Sequence, residues 1–221
     1  MKNFKAIIFD LDGTLVDSIN DLANAMNHVL RTMNLPTHDT QQYKFFVGNG
    51  IRKLVERALP DTERTSGKID LCYQKMICYY REHCFDCTTP YEGIPELLDF
   101  LRHERFRIYI LSNKADELAK KIAEKLFPKN TFDIVCGALP TVPRKPDPTA
   151  AINIAKQTDT ECREFLYIGD TNIDIATAKG AGMFAVGCTW GFRSRSELEA
   201  AHADLIIDHP RELITFLNEQ K

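Results

Sequence analysis

The stretch Phe4-Lys5-Ala6-Ile7-Ile8-Phe9-Asp10-Leu11-Asp12-Gly13-Thr14-Leu15-Val16-Asp17-Ser18 decides how the rest of the chain is read. Residues 4–9 are a short run of branched and aromatic side chains that stops abruptly at Asp10, the pattern of a strand buried on both faces with a polar turn beyond it. Five more such runs follow, at residues 107–111, 133–136, 165–168, 184–187 and 205–207. Between them, residues 94–103, 116–127, 149–156, 173–179, 197–203 and 211–218 repeat apolar positions at three- and four-residue steps, the recurrence of one helix face. Strand and helix in alternation with short loops predict an α/β protein: a Rossmann-like, doubly wound parallel sheet with helices on both faces.

The alternation fails once. From Ser18 to about Thr89 only helix signals occur, at residues 21–33, 43–46, 51–59 and 69–83, with breaks at Leu35-Pro36, Gly48-Asn49-Gly50 and Pro60-Asp61. The expectation is an inserted helical lobe, residues 17–89, and a core built from residues 1–16 and 90–221. Pro90 and Gly93-Ile94-Pro95 mark the return to the sheet. His28 and His38, in the lobe, read as surface residues.

Bulk composition narrows the function. With 221 residues, 44% of them hydrophobic, the chain can bury a sizeable core without staples. Lys plus Arg number 28 against 31 Asp plus Glu, so a general attraction to nucleic acid or to an anionic membrane is not expected. No run approaches the roughly 20 apolar residues that span a bilayer. The short apolar start passes straight into acidic residues, unlike a signal peptide. Seven cysteines, an odd number, fit a reducing cytoplasm. Cys84 and Cys87 form a CxxC preceded by His83, which is half of a structural zinc site with no second pair to complete it.

In open parallel sheets, ligands gather beyond the carboxyl ends of the strands. Asp10-Leu11-Asp12-Gly13-Thr14 follows the first strand, Ser112-Asn113-Lys114 the second and Gly169-Asp170-Thr171-Asn172-Ile173-Asp174 the fourth, while Arg144-Lys145-Pro146 precedes the fourth. Carboxylates at one rim suit a hard divalent cation such as Mg²⁺, with Asp10 and Asp170 the natural ligands. Thr14, Ser112 and Asn113 can hydrogen-bond phosphoryl oxygens, and Lys145 can place a positive charge on them. These are the requirements of phosphoryl transfer.

Asp10-x-Asp12-Gly13-Thr14-Leu15, Ser112-Asn113, Lys145-Pro146 and Gly169-Asp170-x-x-x-Asp174 resemble, in order and spacing, the four motifs of the haloacid dehalogenase superfamily phosphatases. The resemblance covers essentially the whole chain and implies a core with a helical cap inserted after the first motif. It implies that Asp10 attacks phosphorus to form an aspartyl-phosphate and that Asp12 serves as general acid and then base. It further implies that the Asp12 carbonyl is a metal ligand and that Asp174 either joins the metal set or braces Lys145. The dehalogenases of the superfamily lack a carboxylic acid two residues beyond the nucleophile, so Asp12 argues for a phosphatase.

Gly48-Asn49-Gly50 before a helix is similar to the substrate-facing loop in the caps of phosphoglycolate phosphatases, with Arg52 and Lys53 nearby as carboxylate partners. An ordinary helix-helix turn reads equally well there. Trp190-Gly191-Phe192-Arg193-Ser194 also resembles that group, although Trp190 can simply pack on the core. The expected partner is a small phosphorylated metabolite, with 2-phosphoglycolate the first choice. Pyrophosphate, nucleotides, sugar phosphates and a β-phosphoglucomutase reaction share the mechanism; monomer and homodimer are both open. A phospho-aspartate receiver module pairs adjacent acidic residues, phosphorylates a later strand end and carries no cap, all unlike this chain.

Overall fold

The computed structural model describes residues 4–220; residues 1–3, the start of the expected first core segment, and residue 221 lie outside the described residues. In chain order the elements are β1 (Ala6–Phe9), β2 (Val16–Asp17), α1 (Ile19–Thr32), α2 (Thr40–Phe46), α3 (Ile51–Ala58), α4 (Ser66–His83) and β3 (Thr89–Pro90). Then come α5 (Ile94–His103), β4 (Arg107–Ala115), α6 (Asp116–Leu126), β5 (Ile134–Ala138), α7 (Thr149–Gln157) and β6 (Phe165–Gly169). The chain closes with α8 (Asn172–Ala181), β7 (Phe184–Cys188), α9 (Arg195–Ala200), β8 (Leu205–Ile207) and α10 (Pro210–Glu219).

Two compact units result. One holds the described residues up to Val16 and from Pro90 onward; the other is Asp17–Thr89. The short strands β2 and β3 lie at the two points where the chain passes between them.

In the first unit, six strands form a parallel sheet in the order β5-β4-β1-β6-β7-β8. Counted along the chain, this is the 3-2-1-4-5-6 order of a doubly wound sheet, whose winding reverses between β1 and β6. The sheet is covered on both faces, which explains why β1 is a continuous apolar run. Ala6 and Ile8 pack with Tyr109 and Tyr167 under α7, α8 and α9, while Ile7, Phe9, Ile108 and Ile110, alternating with them, are equally buried. Helices α5 and α10 pack together and against β4 and β8.

The second strand runs farther than residues 107–111. β4 continues to Ala115, so Ser112, Asn113 and Lys114 belong to the strand rather than to the loop after it. Its pairing with β5 shifts between Leu111 and Ala115. Polarity concealed this extension from the sequence, because apolar runs mark strand interiors only where side chains meet a hydrophobic core. Here three buried polar side chains meet polar partners instead.

The second unit is helical throughout its interior. Helix α1 buries Leu22, Ala25, Met26, Val29 and Leu30 and packs against α2 and α4, and α3 packs against α2 and α4. Asp21 is buried and accepts four hydrogen bonds, two from the Cys87 N–H and one each from the Thr88 N–H and hydroxyl. Cys87 therefore serves as a backbone donor, and neither Cys84 nor Cys87 is in a disulfide. His28 and His38 are half-buried rather than superficial. His28 stacks on Tyr79 with ring centroids 4.1 Å apart, and a ring nitrogen of His38 lies 2.7 Å from the Ala58 carbonyl.

Candidate active site

The sheet brings the three chain-distant clusters together because β1 lies between β4 and β6. Asp10 follows β1 and Asp170 follows β6, on either side of the point where the winding reverses. Between Leu11 and Val16 the chain folds into a tight turn, with the Leu11 carbonyl accepting from Thr14, Leu15 and Val16. Gly13 adopts φ +86° there, and its α-carbon lies so close to the Asp170 carboxylate that a side chain would collide with it.

Lys145 is the hub. It is 5% exposed, and its ammonium lies 2.9 Å from Asp10 Oδ1 and 2.7 Å from Asp174 Oδ1. Asn113 fixes the Lys145 backbone at both ends: its amide nitrogen donates to the Lys145 carbonyl at 3.1 Å and its oxygen accepts the Lys145 N–H at 3.0 Å. Asp174, in the first turn of α8, accepts from the hydroxyl and N–H of the N-cap residue Thr171 at 2.6 and 3.2 Å. Asp170 accepts the Thr14 hydroxyl at 3.1 Å and the Phe192 N–H at 2.8 Å. Asp12, half-buried, pairs with the buried Lys114 at 2.9 Å.

Electrostatically the site is crowded with anions. Burial is the largest influence on Asp10; Lys145 opposes it, Asp174 and Asp12 reinforce it, and the carboxyl is pushed from 3.8 to about 7. Asp170 is held well above the usual carboxylate range by burial and then by Asp174 and Asp10. Burial disfavours the Lys145 charge, but Asp10 and Asp174 overcome it and raise this group well above the ordinary lysine value.

The family model for haloacid dehalogenase-like hydrolases matches residues 7–188. The chain belongs to that family. A phosphoglycolate phosphatase of Chromobacterium violaceum is 35% identical over 96% of both chains, and one of Aquifex aeolicus is 30% identical over 97% of both. Among solved structures, a haloacid dehalogenase-like hydrolase of Streptococcus pneumoniae superposes with a TM-score of 0.89 at 25% identity, over 98% of this chain and all of that one.

For a haloacid dehalogenase-like hydrolase, the donor set suits a divalent metal. Oxygens of Asp10, Asp170 and Asp174 all lie within 4.8 Å of one another. Fully ionised, the carboxylates of Asp10, Asp12, Asp170 and Asp174 would outnumber the ammonium groups of Lys114 and Lys145 by two charges, which a divalent cation would balance. All-oxygen donors favour a hard ion.

The predicted residues divide into groups. Asp10, Asp170, Asp174 and Lys145 come together directly. The Thr14 hydroxyl bonds to Asp170 and the Asn113 side chain to the Lys145 backbone, while Ser112 accepts the Lys114 N–H at 3.2 Å. Gly48, Asn49, Gly50 and Arg52 lie in the second unit. Gly50 caps α3 with φ +85°, Asn49 accepts from Arg57 at 2.7 Å, and Arg52 pairs with Asp70 at 2.6 Å.

Sequence reasoning left Lys114 without a role and reduced Trp190-Gly191-Phe192 to a resemblance. The Trp190 indole donates to the Thr14 carbonyl at 3.0 Å, and a side chain at Gly191 would strike the Gly13 carbonyl and Asp170. The candidate site is thus walled by a segment that follows β7. Nothing in the sequence singled out Lys114, which read as one of three polar residues following the strand.

Proposed function

We propose that this hydrolase is a cytoplasmic Mg²⁺-dependent phosphatase acting on a small phosphomonoester, 2-phosphoglycolate first among candidates, with Asp10 as the nucleophile. The observation that carries the reading is Lys145 bridging Asp10 and Asp174 beside the buried Asp170, where the sheet reverses its winding. Asp10, Asp170, Asp174 and the Asp12 carbonyl would hold the ion. When bound, it supplies charge neutralisation for an anionic nucleophile meeting an anionic phosphoryl group.

The chain's own groups perform the rest. Lys145 holds Asp10 in place, and its ammonium, with Ser112, offers donors to the phosphoryl oxygens. Asp10 bonds to phosphorus while the ester P–O bond breaks, and Asp12 delivers a proton to the departing oxygen. Water then attacks phosphorus, gives its proton to Asp12, and the bond to Asp10 breaks.

The Asp17–Thr89 unit acts as a cap in this reading, its Gly48-Asn49-Gly50 loop and Arg52 reading the carboxylate of the substrate. Two things favour 2-phosphoglycolate over nucleotides or sugar phosphates. The relatives named above carry that name, and the loop ends at the amino end of a helix with its asparagine held by Arg57.

A phosphate-release screen over 2-phosphoglycolate, pyrophosphate, sugar phosphates and nucleotides, with and without Mg²⁺, tests the proposal. Preference for 2-phosphoglycolate is expected, with Asp10→Asn inactive. Release by Asp10→Asn at the wild-type rate would remove the covalent mechanism; preference for another ester would remove only the substrate.

A further inference from the structure

We propose that Lys114 is a positioning residue for Asp12: its ammonium occupies Oδ1 of that carboxyl and directs proton exchange with the ester and with water to Oδ2. The inference rests on the reading of Asp12 as acid and base given above.

Lys114 is 4% exposed, unusual for a lysine, and its ammonium lies 2.9 Å from Asp12 Oδ1. Burial of an ammonium beside a half-buried carboxylate is a poor device for stability, because desolvation offsets the attraction. The strand delivers this lysine from a fixed backbone. Its N–H donates to the Ser112 hydroxyl, and Gly137 of β5 packs so closely on the Lys114 carbonyl and the Asp116 backbone that no side chain fits between them. Lys145 is already committed to Asp10 and Asp174, so the two buried ammonium groups divide the work. One holds the nucleophile, the other the acid-base residue.

An ammonium can only donate, so the carboxyl oxygen facing it accepts whether Asp12 is charged or neutral. The proton of neutral Asp12 is then carried on Oδ2. As Asp10 bonds to phosphorus and the ester bond breaks, that proton passes to the leaving oxygen together with the bonding pair it receives. In the second half, the attacking water returns a proton to Oδ2 while the phosphorus–Asp10 bond breaks.

Leaving groups separate this role from a structural one. An alkoxide needs protonation to depart, whereas p-nitrophenolate does not, and kcat/KM reports the step in which the leaving group departs. For Lys114→Met, kcat/KM on the best alkyl phosphate of the screen should fall by about 30- to 100-fold, against less than about threefold on p-nitrophenyl phosphate. In an Asp12→Asn background the same change should add less than about threefold on either substrate, because the two residues act as a unit. Lys114→Gln repeats the test if Lys114→Met does not fold, and Lys114→Arg, which restores a donor, should recover part of the alkyl phosphate rate. Equal fractional losses on both substrates, or an undiminished loss in the Asp12→Asn background, would overturn the proposal. Failure of the parent reading is distinguishable: there, Asp12→Asn itself would show no dependence on the leaving group.

Discussion

Lys145 Nζ lies 2.9 Å from Asp10 Oδ1, and this contact joins the loop between β5 and α7 to the residue that follows β1. The attraction is strong because both groups are buried, yet it does not restore Asp10 to an ordinary carboxylate: burial and Asp174 hold it near 7. A further cation beside Asp10 would return this carboxyl toward its ionised form.

Asp10→Asn should lower phosphate release by at least about 10³-fold, since an amide cannot form the covalent intermediate. The melting temperature should stay level or rise, because the change removes one charge from an over-anionic cluster. A clear drop in melting temperature would contradict the electrostatic account while leaving the nucleophile assignment standing.

Stability without metal should depend on pH in a stated direction. The folded pKa of Asp10, about 7, lies above its value of 3.8 in an unfolded chain, so the folded state binds the proton more tightly. That contribution is complete below about pH 4 and is lost as pH rises through about 7. Asp116, Asp147 and Asp208, whose carboxyls are lowered by their hydrogen-bond donors, are already ionised by pH 5. Denaturant titrations in a chelator should therefore show stability falling from pH 5 to 7 by on the order of a few kcal/mol. Added Mg²⁺ should flatten the slope.

Metal binding can be read without activity. At 100 times its Kd, Mg²⁺ should stabilise the protein by about 2.7 kcal/mol, visible as a rise in melting temperature. Asp170→Asn should abolish most of that rise, because Asp170 is fully buried and held by Thr14 and Phe192 in a fixed orientation. An unchanged Mg²⁺-dependent rise in this variant would place the ion elsewhere.

Gly169→Ala should be more damaging than an exposed glycine change. Its new methyl would overlap the Asp174 side chain, which has no room to move while Thr171 and Lys145 hold both its oxygens. A loss of roughly 1–3 kcal/mol is expected from overpacking, together with weakened Mg²⁺ binding. Gly67→Ala, which meets nothing within 4 Å, is the matched control.

Arg57→Ala should raise KM for the preferred substrate and broaden the substrate profile, with p-nitrophenyl phosphate turnover little changed. Arg57 donates to the Phe46 carbonyl and to Asn49, so its loss frees the loop without touching the core chemistry. An unaltered profile would remove the loop from substrate choice.

The sequence by itself determined the parallel α/β core, because apolar runs of strand length and helix-period segments are local patterns that a doubly wound sheet satisfies. It also singled out Asp10, Asp170, Asp174 and Lys145 as candidates, since each stands beside a strand end or a motif whose chemistry is written in residue type, and the fold brings them together. What it did not contain is who touches whom. Lys114 was silent because it read as a polar residue after the strand, and such a residue declares neither its burial nor its partner. Thr14 and Asn113 were legible as polar groups, but their commitment to Asp170 and to the Lys145 backbone arises only when β4 and β6 flank β1. Trp190 and Gly191 acquire meaning only where the segment after β7 meets the turn after β1. Periodicity is carried along the chain, whereas hydrogen-bond partners and charge pairs are set by distances across it, and those exist only in the tertiary structure.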